Sequence, residues 1–180
     1  LEITPAILLR RIRLTESSLI LSWLTPEAGL VKTVAKGVLR PKNRLAGILD
    51  LFHLCEISFQ RARSSPLHSL RDASLLHCHP GLRTDSLRLA LCAYAVELLE
   101  KCTEPETPVP DLFDLMQRAL GYLDRAPASL KALYHFESEL ARLLGIASAA
   151  GCAHLDLERV LHRLPASRRE LIQRLPASAA

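Results

Sequence analysis

The sequence predicts an α+β protein, with a small β-barrel in its first part and an α-helical domain in its second. Short apolar segments separated by turn residues fill residues 1–78, and apolar residues then recur at helical spacing from Thr84 onward. The charge changes at the same place. Residues 1–78 carry eleven Lys/Arg against six acids, whereas 79–180 carry twelve against thirteen, so the whole formal excess of +4 lies in the first part. Strands first and helices second imply segregated layers rather than alternating parallel units. The expected division is a basic barrel at 1–78 and a neutral helical domain at 79–180.

Ile3 to Leu14 reads as a first strand. Ser17 to Thr25 (SSLILSWLT) is a second and contains Trp23. It ends at Thr25-Pro26-Glu27-Ala28-Gly29, where Pro26 presets φ and Gly29 is free to take a positive φ. Leu30 to Leu39 is rich in Val and Thr, which suit a pleated surface, and completes a hairpin with the preceding strand. Leu51 to Ala62 (LFHLCEISFQRA) is a later strand. So many short strands before any helix fit a small closed barrel. Leu87, Leu91, Tyr94, Ala95, Leu98 and Leu99 then share a helix face, with Thr84 or Asp85 as N-cap and Lys101 in the last turn. Three prolines in Cys102 to Pro110 end that helix. Asp111 starts a second helix, with Leu112, Leu115, Met116, Ala119, Leu120 and Leu123 on one side. A third runs from Ala128 to Leu144 and stops at Gly145. Shorter helices follow around Leu155–Arg163 and Ser167–Leu175. Pro-Ala-Ser at 127–129, 165–167 and 176–178 punctuates helix boundaries.

A 180-residue chain with 49% hydrophobic and 23% charged residues is globular, which excludes wholesale disorder. No apolar run reaches the ~20 residues of a membrane span, so no membrane partner is expected. The opening Leu1-Glu2-Ile3 lacks the layout of a secretion signal. It also lacks an initiator Met, so trimming at the front is expected. Cys55, Cys78, Cys92, Cys102 and Cys152 are odd in number and scattered, which points to a reducing cytoplasm rather than a disulfide framework.

The strongest functional signal is a cluster of Lys32, Lys36, Arg40, Lys42 and Arg44, with no acid between Glu27 and Asp50. Lys32 and Lys36 share strand parity, and Arg40-Pro41-Lys42-Asn43-Arg44 extends the same strip. A track of mobile and fork-shaped cations suits phosphates. The plain alternative is a solvated edge strand protected by lysines. Arg10, Arg11 and Arg13 would widen the track. Trp23, Phe52 and Phe59 belong either to the core or to a base-stacking surface. His77-Cys78-His79, even with Cys92 and Cys102, lacks the close Cys pairs of a zinc site, so no metal is expected. No phosphate-loop, dinucleotide, nucleophile-elbow or zinc-protease motif is present. Glu97, Glu100, Glu137 and Glu139 sit at spacings expected of solvated or capping positions. The reading is a protein that is not an enzyme and takes no cofactor.

Glu16-Ser17, then Leu24-Thr25-Pro26-Glu27-Ala28-Gly29, then Val34-Ala35-Lys36-Gly37-Val38 resemble the front of the RecO family of bacterial recombination mediators. In that family an acid-Ser pair precedes a strand, followed by a Thr-x-x-x-Gly turn and an Ala-Lys-Gly strand end with basic residues after it. Arg40, Lys42 and Arg44 supply that continuation here. Ala93-Tyr94-Ala95-Val96-Glu97-Leu98-Leu99 is similar to the family's Tyr-x-x-Glu-Leu helix. Leu112-Phe113-Asp114-Leu115 with Ala119-Leu120 is similar to its Leu-Phe helix, and Phe136-Glu137 with Leu140, Leu143, Leu144 and Gly145 to its Phe-Glu helix. The resemblance holds in order from about residue 3 to 150.

The resemblance implies an N-terminal OB-fold and an α-helical C-terminal domain. It implies binding to single- and double-stranded DNA, strand annealing and, with RecR, loading of RecA onto DNA coated by single-strand-binding protein, without nucleotide hydrolysis. Many relatives carry four zinc-binding cysteines after the Phe-Glu helix, but Gly145 to His154 holds only Cys152, so zinc is not carried over. The chain is short for the family in its C-terminal region, where recognition of the single-strand-binding protein's tail is in question. No residues are assigned to that tail. In this reading Lys32, Lys36, Arg40, Lys42 and Arg44 neutralise phosphates on two strands and reduce the repulsion that opposes their pairing. Two rivals stand beside it: an interaction module that binds RecR or single-strand-binding protein with little DNA affinity of its own, and an unrecognised hydrolase or nuclease.

Overall fold

Five strands come first and five α-helices follow in a computed structural model that describes residues 1–149 and 151–177. Ser178, the last residue of the third Pro-Ala-Ser segment, lies outside the described residues. The strands are β1 (Glu2–Arg13), β2 (Leu19–Thr25), β3 (Gly29–Ala35), β4 (Leu54–Gln60) and β5 (Leu67–His77). They close an OB-fold-like barrel in the order β1-β2-β3-β5-β4. All neighbours are antiparallel except β3 and β5, which are parallel. β1 is long enough to serve both flanks, pairing Glu2–Ile7 with β4 and Ile7–Arg13 with β2.

Alternation fills the interior. Leu19, Leu21 and Trp23 of β2, Val31 and Ala35 of β3, Cys55, Ile57 and Phe59 of β4, and Leu70 and Ala73 of β5 form one core. Trp23 is fully buried, and its indole N–H donates to Thr33 Oγ1 at 2.9 Å, so it is a core residue with its polar atom satisfied. Phe52 and Phe59 are buried as well. Three register shifts interrupt the alternation, one of them at Leu76, where β5 passes from Leu75 to His77 against β4. Leu9 is the extra residue where β1 pairing passes from Leu8–Trp23 to Arg10–Ser22, and Arg71 is the extra residue where β5 passes from Leu70 to Asp72 against β4.

The structure departs from the sequence expectation in β3, which stops at Ala35 rather than Leu39. Lys36 to Leu39 turn away, and Val38 drops into the core while Leu39 N–H bonds Ser17 O at 2.9 Å. Leu51–Phe52 likewise remain outside β4 because Phe52 takes a left-handed backbone, φ +66°. β5 carries no sequence prediction at all. Its bulge at Arg71 breaks the period-2 signal, and Arg71-Asp72 reads as a polar interruption.

The chain forms two compact units. The first joins Leu1–Cys78 to Thr103–Phe113. Its returning segment bonds to the β2–β3 hairpin, with Glu106 N–H to Leu30 O at 3.2 Å and Val109 N–H to Pro26 O at 2.9 Å. Glu106 accepts from Arg61 Nη1 at 2.6 Å, and Arg61 also forks onto Glu2. His68 Nδ1 accepts the Ala62 N–H, so its proton sits on Nε2, 3.1 Å from Glu106 Oε1.

The second unit comprises His79–Cys102 and the described residues from Asp114 onward. A 3₁₀ turn, Pro80–Thr84, precedes α1 (Ser86–Cys102), then α2 (Pro110–Arg125), which belongs to this unit from Asp114 on, α3 (Leu130–Leu143), α4 (Ala153–Leu161) and α5 (Ser167–Arg174). Asp85 Oδ1 caps α1 by accepting from Leu87 N–H at 2.9 Å. Gly145 ends α3 at φ +69°, with Gly145 N–H to Arg142 O and Ile146 N–H to Ala141 O, a Schellman closure. Glu137 corrects the sequence reading: it is neither solvated nor capping. At 1% exposure it accepts from Tyr94 Oη at 2.5 Å and from Arg168 at 2.6 and 3.0 Å, tying α1, α3 and α5. A helical period marks the buried face but does not say that a second cation from α5 will neutralise an acid there.

Gly29 combines a left-handed φ of +63° with a close approach, since a Cβ there would lie 2.0 Å from Thr107 O. Gly29→Ala is therefore expected to lower the urea midpoint by the equivalent of about 1–3 kcal/mol. Proteolysis should move to the 103–109 segment in that variant. An unchanged midpoint and cleavage pattern would remove Gly29 as the seat of that contact.

Candidate nucleic-acid interface

Strand register orders the outer face of the barrel. One cross-strand row runs Arg10–Ser22–Lys32–Leu67 and the next Ile12–Ile20–Val34–Ser69. The bulge at Leu9 places Arg10 and Ile12 outward; unbroken alternation would give Arg10 the inward parity of Leu8. Lys36 and Arg71 each lie two residues beyond the last parallel pair, Val34–Ser69. Lys36, Arg44 and Arg71 line one shallow cleft of about 270 Å³, together with Asn43 and Leu70.

The predicted cations therefore separate into groups. Lys32 and Arg10 are exposed on the first row, and Lys36 and Arg44 meet at the cleft. Arg40 and Lys42 are exposed on the loop after β3. Arg40 packs its stem along Gly37, and Lys42 holds φ +63°. Arg11 has the opposite parity and pairs with Asp50 at 2.9 Å. Arg13 donates to the carbonyls of Thr15 and Glu16. Arg11 and Arg13 thus point away from the face that carries Lys32. Sequence reasoning does not reach Arg71, because it predicts no strand there; Arg71 is the extra residue of the β5 bulge and shares the cleft with Lys36.

The loop that supplies Arg44 is fixed rather than loose. Asn43 donates to Gly37 O at 3.2 Å and accepts from Leu45 N–H at 2.9 Å, while Leu49 is buried in the barrel core. Arg44 donates to Asp72 Oδ1 at 2.6 Å. That guanidinium, helped by the Ala73 N–H, holds the Asp72 carboxyl below the ordinary aspartate range. The five cysteines are free thiols, and burial pushes Cys55 and Cys102 up to about 11 and Cys92 to about 12. Among the described residues no three of His, Cys, Asp and Glu stand together as a metal site, and no helix is long and apolar enough to cross a membrane.

The family model described as recombination protein O N terminal matches residues 1–79, and that described as recombination protein O C terminal matches 83–152. The chain belongs to the RecO family. It is 32% identical over 140 residues to the DNA repair protein RecO of Rhodopirellula baltica, covering 78% of this chain and 52% of that protein. It is 33% identical over 140 residues to that of Anaeromyxobacter dehalogenans, covering 78% and 55%. It is 32% identical over 156 residues to that of Geobacter metallireducens, covering 86% and 63%. The chain thus spans a little over half the length of these RecO relatives. The match reaches across both the barrel and the first three helices of this RecO-family chain.

The Arg44–Asp72 pair has a defined pH signature. Because the folded-state value of Asp72 is depressed, its contribution is complete above the unfolded aspartate value of about 3.9 and is lost as pH falls through the folded value. Both side chains are exposed, so the contribution is small. Urea midpoints of the native chain and Asp72→Asn are expected to differ slightly at neutral pH and to converge on acidification below that depressed value. A difference that persists there would assign the effect to something other than the pair.

Proposed function

We propose that this RecO-family chain binds single- and double-stranded DNA on the outer face of its barrel and promotes strand annealing. In this reading it also loads a recombinase together with RecR. The supporting observation is the convergence of Lys36, Arg44 and Arg71 on one cleft, with Lys32 and Arg10 in register on the same face. These residues come from four separate stretches of chain, β1, β3, the following loop and β5. A distributed set of cations that a fold gathers on one surface suits a phosphate backbone, whose charges recur along a line. Neutralising phosphates on two strands at once lowers the repulsion that opposes their pairing. Residues 1–78 would then be the DNA-facing domain and 79–180 the partner-facing one, in the cytoplasm and on the nucleoid.

Fluorescence anisotropy of a labelled single strand, titrated at several salt concentrations with duplex as competitor, tests this. The slope of log affinity against log salt should flatten by about 2 in Lys36→Ala/Arg44→Ala/Arg71→Ala. Arg40→Ala/Lys42→Ala reads the loop separately. No binding by the native chain at low salt would remove the DNA reading.

A second reading, partner docking, is favoured by a groove in the helical unit. It occupies about 430 Å³ and is lined by Leu91, Ala95, Met116, Leu120 and Phe136, with Arg118, Lys131 and His135 at its rim. An apolar trough with a cationic edge suits an acidic peptide with an apolar end, and the occupant proposed is the tail of single-strand-binding protein. A labelled tail peptide should bind, and Lys131→Glu should weaken it roughly tenfold. Equal affinity in the variant would exclude the groove.

A further inference from the structure

We infer that the middle row of the outer barrel face, Ile12, Ile20 and Val34, is a base-contacting strip for single-stranded nucleic acid, and this inference rests on the DNA reading proposed above. Ile12 is 54% exposed and Ile20 and Val34 are half-buried, so three β-branched side chains lie in a line across β1, β2 and β3. Cations flank the line on both sides. Arg10 and Lys32 stand two residues away in one direction, and Lys36 with Arg71 two residues away in the other. With a strand rise of about 3.3 Å per residue, the Arg10–Lys32 row is roughly 7 Å from the strip, and Lys36 opens the turn directly after β3.

The occupant follows from that alternation. A nucleotide carries its phosphate and its base on one sugar, so a phosphate held on either cation row leaves its base within reach of the strip. A purely anionic ligand would have no use for the apolar centre, and an apolar peptide would have no use for two cation rows. Proteins that bind single strands without sequence preference usually place aromatic rings under the bases. Here Trp23, Phe52 and Phe59 are committed to the interior, and the aliphatic row is what the face presents instead. Aliphatic contact makes no hydrogen bonds to base edges, so the strip tolerates any sequence. Because cations lie on both sides, two strands held one on each row would turn their bases toward the same strip.

The test compares a fluorescent oligothymidylate of about a dozen nucleotides with an abasic deoxyribose-phosphate strand of equal length. The full chain is expected to prefer the base-bearing strand by roughly threefold to tenfold. Ile12→Thr/Val34→Thr keeps β-branched side chains and so keeps the strands. It should bring that ratio close to unity while leaving abasic affinity and the salt slope as they are. A ratio unchanged in the double variant overturns the strip but leaves the phosphate track standing. A native chain that binds neither strand at low salt overturns the strip and the DNA reading together. Should the double variant lose its folded circular dichroism, Ile12→Thr alone, at the exposed end of β1, reads the same ratio, and no fall in it overturns the strip.

Discussion

Three residue pairs between parallel strands close this barrel: Lys32 with Leu67, Thr33 with His68 and Val34 with Ser69. Without them β3 and β5 would be open edges, each with a row of unpaired backbone groups. The middle pair reaches inward in both directions. Thr33 receives the Trp23 indole proton, while His68 stacks on Phe59 at 5.6 Å between centroids and carries its Nε2 to Glu106. Of the flanking pairs, one carries the cation Lys32, and Lys36 and Arg71 meet at the cleft just past the seam. Closure of the barrel and assembly of the charged face are therefore one event, and a chain that failed to seat β5 would lose both.

Much of this was legible in the sequence, and the limits have physical causes. The β2–β3 hairpin was readable because Thr25, Pro26 and Gly29 each enforce a local geometry: Thr25 Oγ1 accepts the Ala28 N–H, and Gly29 takes the positive φ. Asp85 and Gly145 marked helix ends for equally local reasons. Arg10 and Arg71 were harder. A bulge adds one residue to one strand only, so it changes which face a side chain occupies without leaving a mark in the chain's own periodicity. The division of Arg10 from Arg11, and the arrival of Arg71 beside Lys36, depend on partner strands that no local window contains. Lys36 and Arg44, by contrast, were visible as part of an acid-free basic run and needed only the fold to join them.

The helical unit relies on a different kind of contact. Glu137 and Arg168 are charges withdrawn from water, and burial together with the carboxylate's negative charge pushes the Tyr94 hydroxyl well above the ordinary tyrosine range. Such a pair adds little net stability, yet losing one partner costs about 3–5 kcal/mol because the other charge is left stranded. It fixes which turn of α5 meets which turn of α3, a matter on which interchangeable leucines are silent. The apolar groove between α1, α2 and α3 opens on the same helices. Its shape is inherited from a core whose register a buried carboxylate sets.

The return of residues 103–113 to the barrel bears on how the polypeptide acquires its structure. Glu106, at φ +58°, gathers Arg61 and His68, and its left-handed backbone is tolerated only with those partners in place. During synthesis from the N-terminus, five strands emerge well before the residues that saturate Leu30 O and Pro26 O. The nascent barrel must wait for the whole of α1 to follow before its last hydrogen bonds can form. That raises the contact order of an otherwise local fold and slows its final step. It also makes the order of maturation directional, with α1 emerging before its neighbour unit is complete.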